Sequence, residues 1–222
     1  MGVRLREGVS WCLSAGRAVF LDLERDRYFC LPPKEDVEFR AWARCPDEIS
    51  NVDVFERLER CGVLTRCDQV GTAISPTTVS VPVRDLSMET EGEATVLDVT
   101  RAVVAQKWAE AAIRRRPMVS TVKRLEHAHP GRPSGTTDAH ADIRRVAAAL
   151  ASAALLVRKS DRCLPRAIAA RAMCRRRQLY PLIVFGVRLE PFAAHSWAQW
   201  DNSVIVGDLE QVRMFTPILV VE

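Results

Sequence analysis

One cysteine of the seven stands where sulfur chemistry is favoured. In SDRCLPRAIAARAMCRRR, residues 160–177, Ser160 and Asp161 offer a helix N-cap, and Pro165 fits a first helical turn, where no backbone N–H is needed. Cys163 is thereby expected at a helix N-terminus, where unbonded N–H groups and the positive end of the dipole favour the thiolate, the form that attacks a carbonyl carbon. Such a nucleophile needs a base. His195 lies in AAHSWAQW, residues 193–200, which reads as a strand, and SVIVGD, residues 203–208, reads as a second strand after the turn-forming pair Asp201-Asn202. Extending the register of a two-residue turn sets Asp208 directly opposite His195, where a carboxylate would orient the imidazole and stabilise its charged form. Cys163, His195 and Asp208 are the candidate nucleophile, base and orienter of acyl transfer through a thioester.

Packing is the competing explanation for each of the three. A cysteine in an alanine-rich helix is ordinarily a small core residue, and a strand histidine is ordinarily a buried one; only their joint occurrence speaks for chemistry. Zinc is disfavoured, because Cys174 lies well down the same helix in an apolar stripe with Ala170 and Met173. Cys12, Cys30, Cys45, Cys61 and Cys67 are scattered through the first part of the chain and read as core residues. No phosphate-binding loop with its lysine is present, so ATP chemistry has no visible home and no cofactor is expected.

The elements that must hold these residues follow from local pattern. Residues 9–31 read as three short strands broken at Ser-Ala-Gly and Glu-Arg-Asp, and Pro32-Pro33 stops the third. A helix with an acidic first turn follows, carrying Val37, Phe39 and Trp42; a second, capped by Asn51, carries Phe55, Leu58 and Cys61 and ends at Gly62. Residues 68–92, rich in Thr, Ser, Pro and Val, read as a linker that wraps over a neighbour. Helices are expected over 94–116, more weakly through Leu125, and again over 141–157, with the proline- and glycine-bearing loop HAHPGRPSGTTDAH between. After the Cys163 helix the period changes to that of strands in LIVFGVRL, AAHSWAQW, SVIVGD and MFTPILVVE. The expected class is α+β: a winged-helix-like module over 1–85, with a linker from about 68, and a second domain over 94–222.

Composition narrows the setting. With 222 residues, 48% of them hydrophobic, the chain can bury one sizeable core or two small ones. Its 32 basic and 28 acidic residues leave a net charge of +4, too balanced to call for nucleic acid. Cysteines without zinc-finger spacing or a dense secreted framework suggest reduced thiols in a cytoplasm. The start, MGVRLREGVSW, lacks the apolar core of a signal peptide, and no later run is long enough for a membrane span.

The run from Ser160 to Asp208, with its D-x-C-L-P-R-A pattern, its Gly-Val-Arg strand and its P-F-x-A-H-x-W strand, resembles the C-terminal region of lasso-peptide B proteins. These are transglutaminase-like, papain-related cysteine proteases that remove the leader from a ribosomally made precursor. VFLDLERDRYFCL and the helices after it resemble the leader-recognition element fused to many of them. The resemblance implies Cys163 as nucleophile, His195 as general base and an acid after the histidine as orienter, a role that Asp208 fits. It implies two partners, the precursor peptide with its leader and core and an ATP-using lactam synthetase of the same pathway. A leader added as an extra strand would meet Arg27, Tyr28, Phe29, Cys30 and Leu31, together with Phe55 and Leu58 of the second helix. The pattern departs from papain-like enzymes in one respect: LLVRKSDR has no glutamine to serve as an oxyanion donor ahead of the cysteine. A transglutaminase-like acyltransferase and a noncatalytic peptide-binding scaffold are the alternative functions.

Overall fold

The computed structural model describes residues 2–45, 52–67, 74–89, 94–126, 139–156 and 163–222. The N-terminal part runs β1 (Gly2–Leu5), β2 (Val9–Ser14), β3 (Arg17–Asp22), β4 (Arg27–Cys30), α1 (Pro33–Arg44), α2 (Val52–Arg60) and β5 (Leu64–Cys67). β2, β3 and β4 form an antiparallel sheet in that order, while β1 pairs with β5. The β2–β3 hairpin turns on Ala15 and Gly16, both at positive φ (49° and 75°), the backbone that two-residue hairpins require.

Strand alternation gives this small sheet two buried faces. Trp11, Ala18 and Phe20 point into a core with Phe39 and Trp42 of α1 and Leu58 of α2, where Phe39 meets the Phe20 ring edge-on at 4.8 Å. Cys12, Val19 and Leu21 point the other way, into the main core of the molecule. The N-terminal sheet is therefore a layer shared between two cores.

The rest of the chain runs β6 (Arg84–Asp85), α3 (Val96–Arg115), α4 (Met118–Glu126), α5 (Ala139–Leu156), α6 (Cys163–Arg175), β7 (Leu182–Arg188), β8 (Ala193–Trp200), β9 (Ser203–Val206), α7 (Leu209–Arg213) and β10 (Thr216–Val221). The large sheet has the order β10-β7-β8-β9-β6, antiparallel except where β6 joins β9. Alanines at 147, 149 and 153 of α5 and 167, 169 and 170 of α6 are sealed in the main core, so these two helices approach the sheet closely. Asp98 ties α3 to α5 and to the segment just after α6. Its carboxylate completes a capping box with Thr95 and accepts from Arg145 at 2.8 Å, with Arg177 at 3.8 Å. No helix among the described residues is long and apolar enough to cross a membrane.

The connection over 74–89 is fixed along its length by backbone groups. Thr77 N–H donates to Trp11 O at 3.0 Å and its hydroxyl to Ile218 O at 2.8 Å, so it links the two sheets. Val83 N–H donates to Asn202 O at 2.8 Å, after which β6 adds a parallel edge strand beside β9. Although β6 falls within the range 1–85, its hydrogen bonds belong to the C-terminal sheet.

Candidate active site

Cys163 is the first residue of α6, with Pro165 in the first turn. The N-cap expected at Ser160 and Asp161 lies outside the described residues. α6 packs across β8, and the short β9 decides what lies beside its N-terminus. β9 pairs only with residues 198–200 of β8, so among the described residues the stretch holding His195 and Ser196 has no strand on that edge. Along β8, His195, Trp197 and Gln199 face one side of the sheet; Ser196 and Ala198 face the helices.

Both His195 and Ser196 act on the thiol. Burial pushes the Cys163 pKa up, but His195, the Ser196 hydroxyl and the Ser196 backbone N–H outweigh it and bring the thiol down to about 7. Cys12 and Cys174 move the opposite way: burial pushes each up to about 12. Cys30 and Cys61 are also raised by burial. The alanine-rich environment that keeps Cys174 inert is thus offset at Cys163 by polar groups of a strand. His195 Nε2 and Ser196 Oγ are buried and, among the described residues, complete no hydrogen bond of standard geometry.

Aromatic rings hold the imidazole in place. Trp197 stacks beside it with centroids 6.3 Å apart, and Phe215 lies at 5.3 Å. Trp197 is itself fixed, its Nε1–H donating to Gln199 Oε1 at 3.1 Å while the Gln199 amide donates to the carbonyls of Ser80 and Asp201, each at 2.7 Å. Directly across from His195 on β7 stands Gly186, and a Cβ there would fall 2.6 Å from the Trp197 ring and 2.9 Å from Phe215 Cβ. Only glycine leaves room for this packing. Arg166, one turn along α6 from Cys163, has its Nε buried without a hydrogen-bond partner among the described residues.

Asp208 is not opposite His195. The hairpin does turn at Asp201-Asn202, with Trp200 paired to Ser203 and Gln199 to Val204, but a bulge makes the next pair Ala198 and Val206. The strand then stops, Gly207 turns the chain at a φ of 138°, and Asp208 becomes the exposed N-cap of α7, accepting from Gln211 N–H at 2.9 Å. The register was legible up to the bulge and not past it, because an extra residue is invisible to alternation counting. Among the described residues no carboxylate forms an ion pair with His195, and no group of three or more His, Cys, Asp or Glu side chains could hold a metal ion.

The proposed peptide-binding residues divide in the same concrete way. β4 is an edge strand. Arg27 lies over the Phe29 ring at 4.9 Å, and Phe29 stacks on Phe20 at 5.2 Å, facing the N-terminal core. Tyr28 and Cys30 face the main core, and Tyr28 meets Phe192, just ahead of β8, at 5.8 Å. Burial first, then the charge of Cys163, pushes the Tyr28 hydroxyl up to about 12. Leu31 and Leu58 are sealed in the N-terminal core, so their side chains support the edge strand from within and line no groove, contrary to expectation. The side chain of Phe55 lies outside the described residues.

The span 102–220 matches the family model described as the transglutaminase-like superfamily. The chain belongs to the transglutaminase-like superfamily. Its matched span holds α6, β7 and β8, hence Cys163, Gly186 and His195, and superfamily members generally catalyse through a cysteine. No curated protein and no solved structure matches the chain significantly. Of the residues not singled out in the sequence, Ser196 and Trp197 had a usable signal: Ser196 adjoins the histidine, and alternation sets Trp197 on the histidine's face. Gly186 could be found only by pairing β7 with β8.

Proposed function

We propose that this protein is a cysteine peptidase that removes the leader from a lasso-type precursor peptide, so that an ATP-using lactam synthetase can close the released core. The observation that carries the chemistry is the thiol at a helix N-terminus, brought down to about 7 by His195 and Ser196 while cysteines of the same core go up. Near neutral pH roughly half of such a thiol is thiolate. His195 takes the thiol proton as the Cys163 sulfur attacks the scissile carbonyl, and the developing oxyanion faces the backbone N–H of Cys163. The protonated His195 gives its proton to the leaving amine, the C–N bond breaks, and a thioester remains. Water, deprotonated by His195, attacks the thioester and frees the new carboxylate and the thiol.

Capture of the leader by β4 is supported by its edge, unpaired among the described residues, and by Tyr28, which connects that strand to Phe192 beside the histidine strand. Lasso-type leader–core peptides, incubated with the protein and followed by mass spectrometry, test the whole reading. Two hydrolytic fragments are expected with the wild type and none with Cys163→Ala, while leader affinity measured by fluorescence anisotropy stays within about twofold; the rate loss should span several orders of magnitude. Undiminished cleavage by Cys163→Ala, with contaminating protease excluded, would end the peptidase reading. Amine-linked products in place of fragments would make the protein an acyltransferase.

A further inference from the structure

We infer that the outer groove between α3 and α6 docks an acidic amphipathic helix of a partner protein. The inference is independent of the peptidase reading. α3 is 20 residues long and buries Ala102, Gln106 and Ala109, yet its outer side carries Leu97, Val104 and Trp108, which are 57%, 48% and 70% exposed. They fall seven and four residues apart, the spacing by which one helix packs its side chains into another. Isolated exposed apolar residues are ordinary on a protein surface; a regular stripe of them beside a cavity is not.

Val104 and Trp108 of this stripe line a groove of about 770 Å³ together with the small or apolar Ala112, Ile168 and Ala172. The groove continues, past the same three residues, into a second cavity of about 440 Å³ toward α4. Small residues in the lining leave room for inserted side chains. The rim is basic, with Arg116, Arg124, Arg175 and Arg176 lining these cavities. Among the described residues none of these four forms an ion pair, whereas Arg177, which lines the same groove, is paired with Asp142, and Arg145 of α5 with Asp98. An apolar lining at helical spacing beside unneutralised arginines complements leucines flanked by glutamates.

The same observations disfavour other occupants. A second copy would set arginine against arginine across a two-fold axis. Single-stranded nucleic acid takes rows of aromatic platforms, and among the described residues Trp108 is the one aromatic ring lining this groove.

Trp108 is an internal reporter, since Trp11, Trp42 and Trp197 are buried and Trp200 is half-buried. The probe is a synthetic helical peptide with leucines at the core heptad positions and glutamates beside them; the control replaces every glutamate with lysine. The acidic peptide should shield Trp108 from acrylamide in a saturable way and lose affinity about tenfold with Arg116→Glu/Arg176→Glu, as expected for two surface charge pairs reversed. Salt should weaken it further. Because both arginines are exposed, the double variant should fold normally, and circular dichroism checks this. Equal binding of the lysine peptide, or no effect of the charge reversals, overturns the inference. So does shielding by an oligonucleotide at similar concentration, or shielding that grows with protein concentration alone as sedimentation shows dimers.

Discussion

Gly186→Ala is the sharpest probe of how the site is built, because one methyl group is aimed at the wall behind His195. The added Cβ would lie 2.6 Å from Trp197 Cζ3 and 2.9 Å from both Trp197 Cη2 and Phe215 Cβ. Carbon atoms in contact sit about 3.5–4.0 Å apart, so something must retreat by about 1 Å. Trp197 cannot simply swing away, since it is buried and tied through Gln199 to Ser80 and Asp201. Overpacking of this kind costs about 1–3 kcal/mol. For a chain of this size each kcal/mol lowers Tm by about 2–4 °C, which gives a drop of about 2–12 °C. The kinetic effect should exceed the thermal one: His195 rests against both displaced rings, and a misplacement of about 1 Å can cost about a hundredfold in rate. Differential scanning calorimetry and kcat/KM on a leader–core peptide measure the two effects, with circular dichroism to confirm the fold. An unchanged Tm together with unchanged kcat/KM would refute this account of the packing behind the histidine.

Two further substitutions separate structural carboxylates from the chemistry. Asp208→Ala should cost about 1 kcal/mol through loss of the α7 cap while leaving kcat/KM within about twofold; a hundredfold loss would show that the residue orients His195 after all. Asp98 resists protonation: burial raises its pKa, but hydrogen bonds from Thr95 and Arg145 and the charge of Arg145 hold it at about 2. Its contribution is therefore complete above the unfolded carboxylate value of about 3.9 and is lost as pH falls through about 2. The Tm gap between wild type and Asp98→Asn should narrow steadily below about pH 4, and a gap independent of pH would contradict the assignment.

What the sequence revealed and what it hid have physical causes. The three strands over 9–31 and the β7 and β8 strands were legible because each buries a face and is bounded by turn residues, and α5 because its stripe of Ile143, Val146 and Leu150 is unbroken. The positions of Cys163 and His195 were legible for related reasons, one at a helix start and the other within a strand. Asp208 was misplaced because the bulge after Val204 leaves no local trace in composition. β6 was missed since a two-residue parallel edge strand held by backbone bonds needs no apolar pattern. The pairing of β1 with β5 is likewise nonlocal, joining residues from opposite ends of the N-terminal part. That the N-terminal sheet has two buried faces was hidden too, because a double-faced strand such as RAVFLD reads as a plain apolar run.

The central claim is that Cys163 is held as a nucleophile by its neighbours on β8, and the pH dependence of its alkylation tests that claim most directly. Iodoacetamide labelling from pH 5 to 10, read at Cys163 by peptide mapping, follows the thiolate fraction residue by residue. The wild type should titrate with a midpoint of about 7, and His195→Ala should move the midpoint upward, toward or beyond the ordinary cysteine value, because burial then acts with less opposition. A wild-type midpoint near that of an ordinary cysteine, or one that stays in place when His195 is removed, would contradict the account.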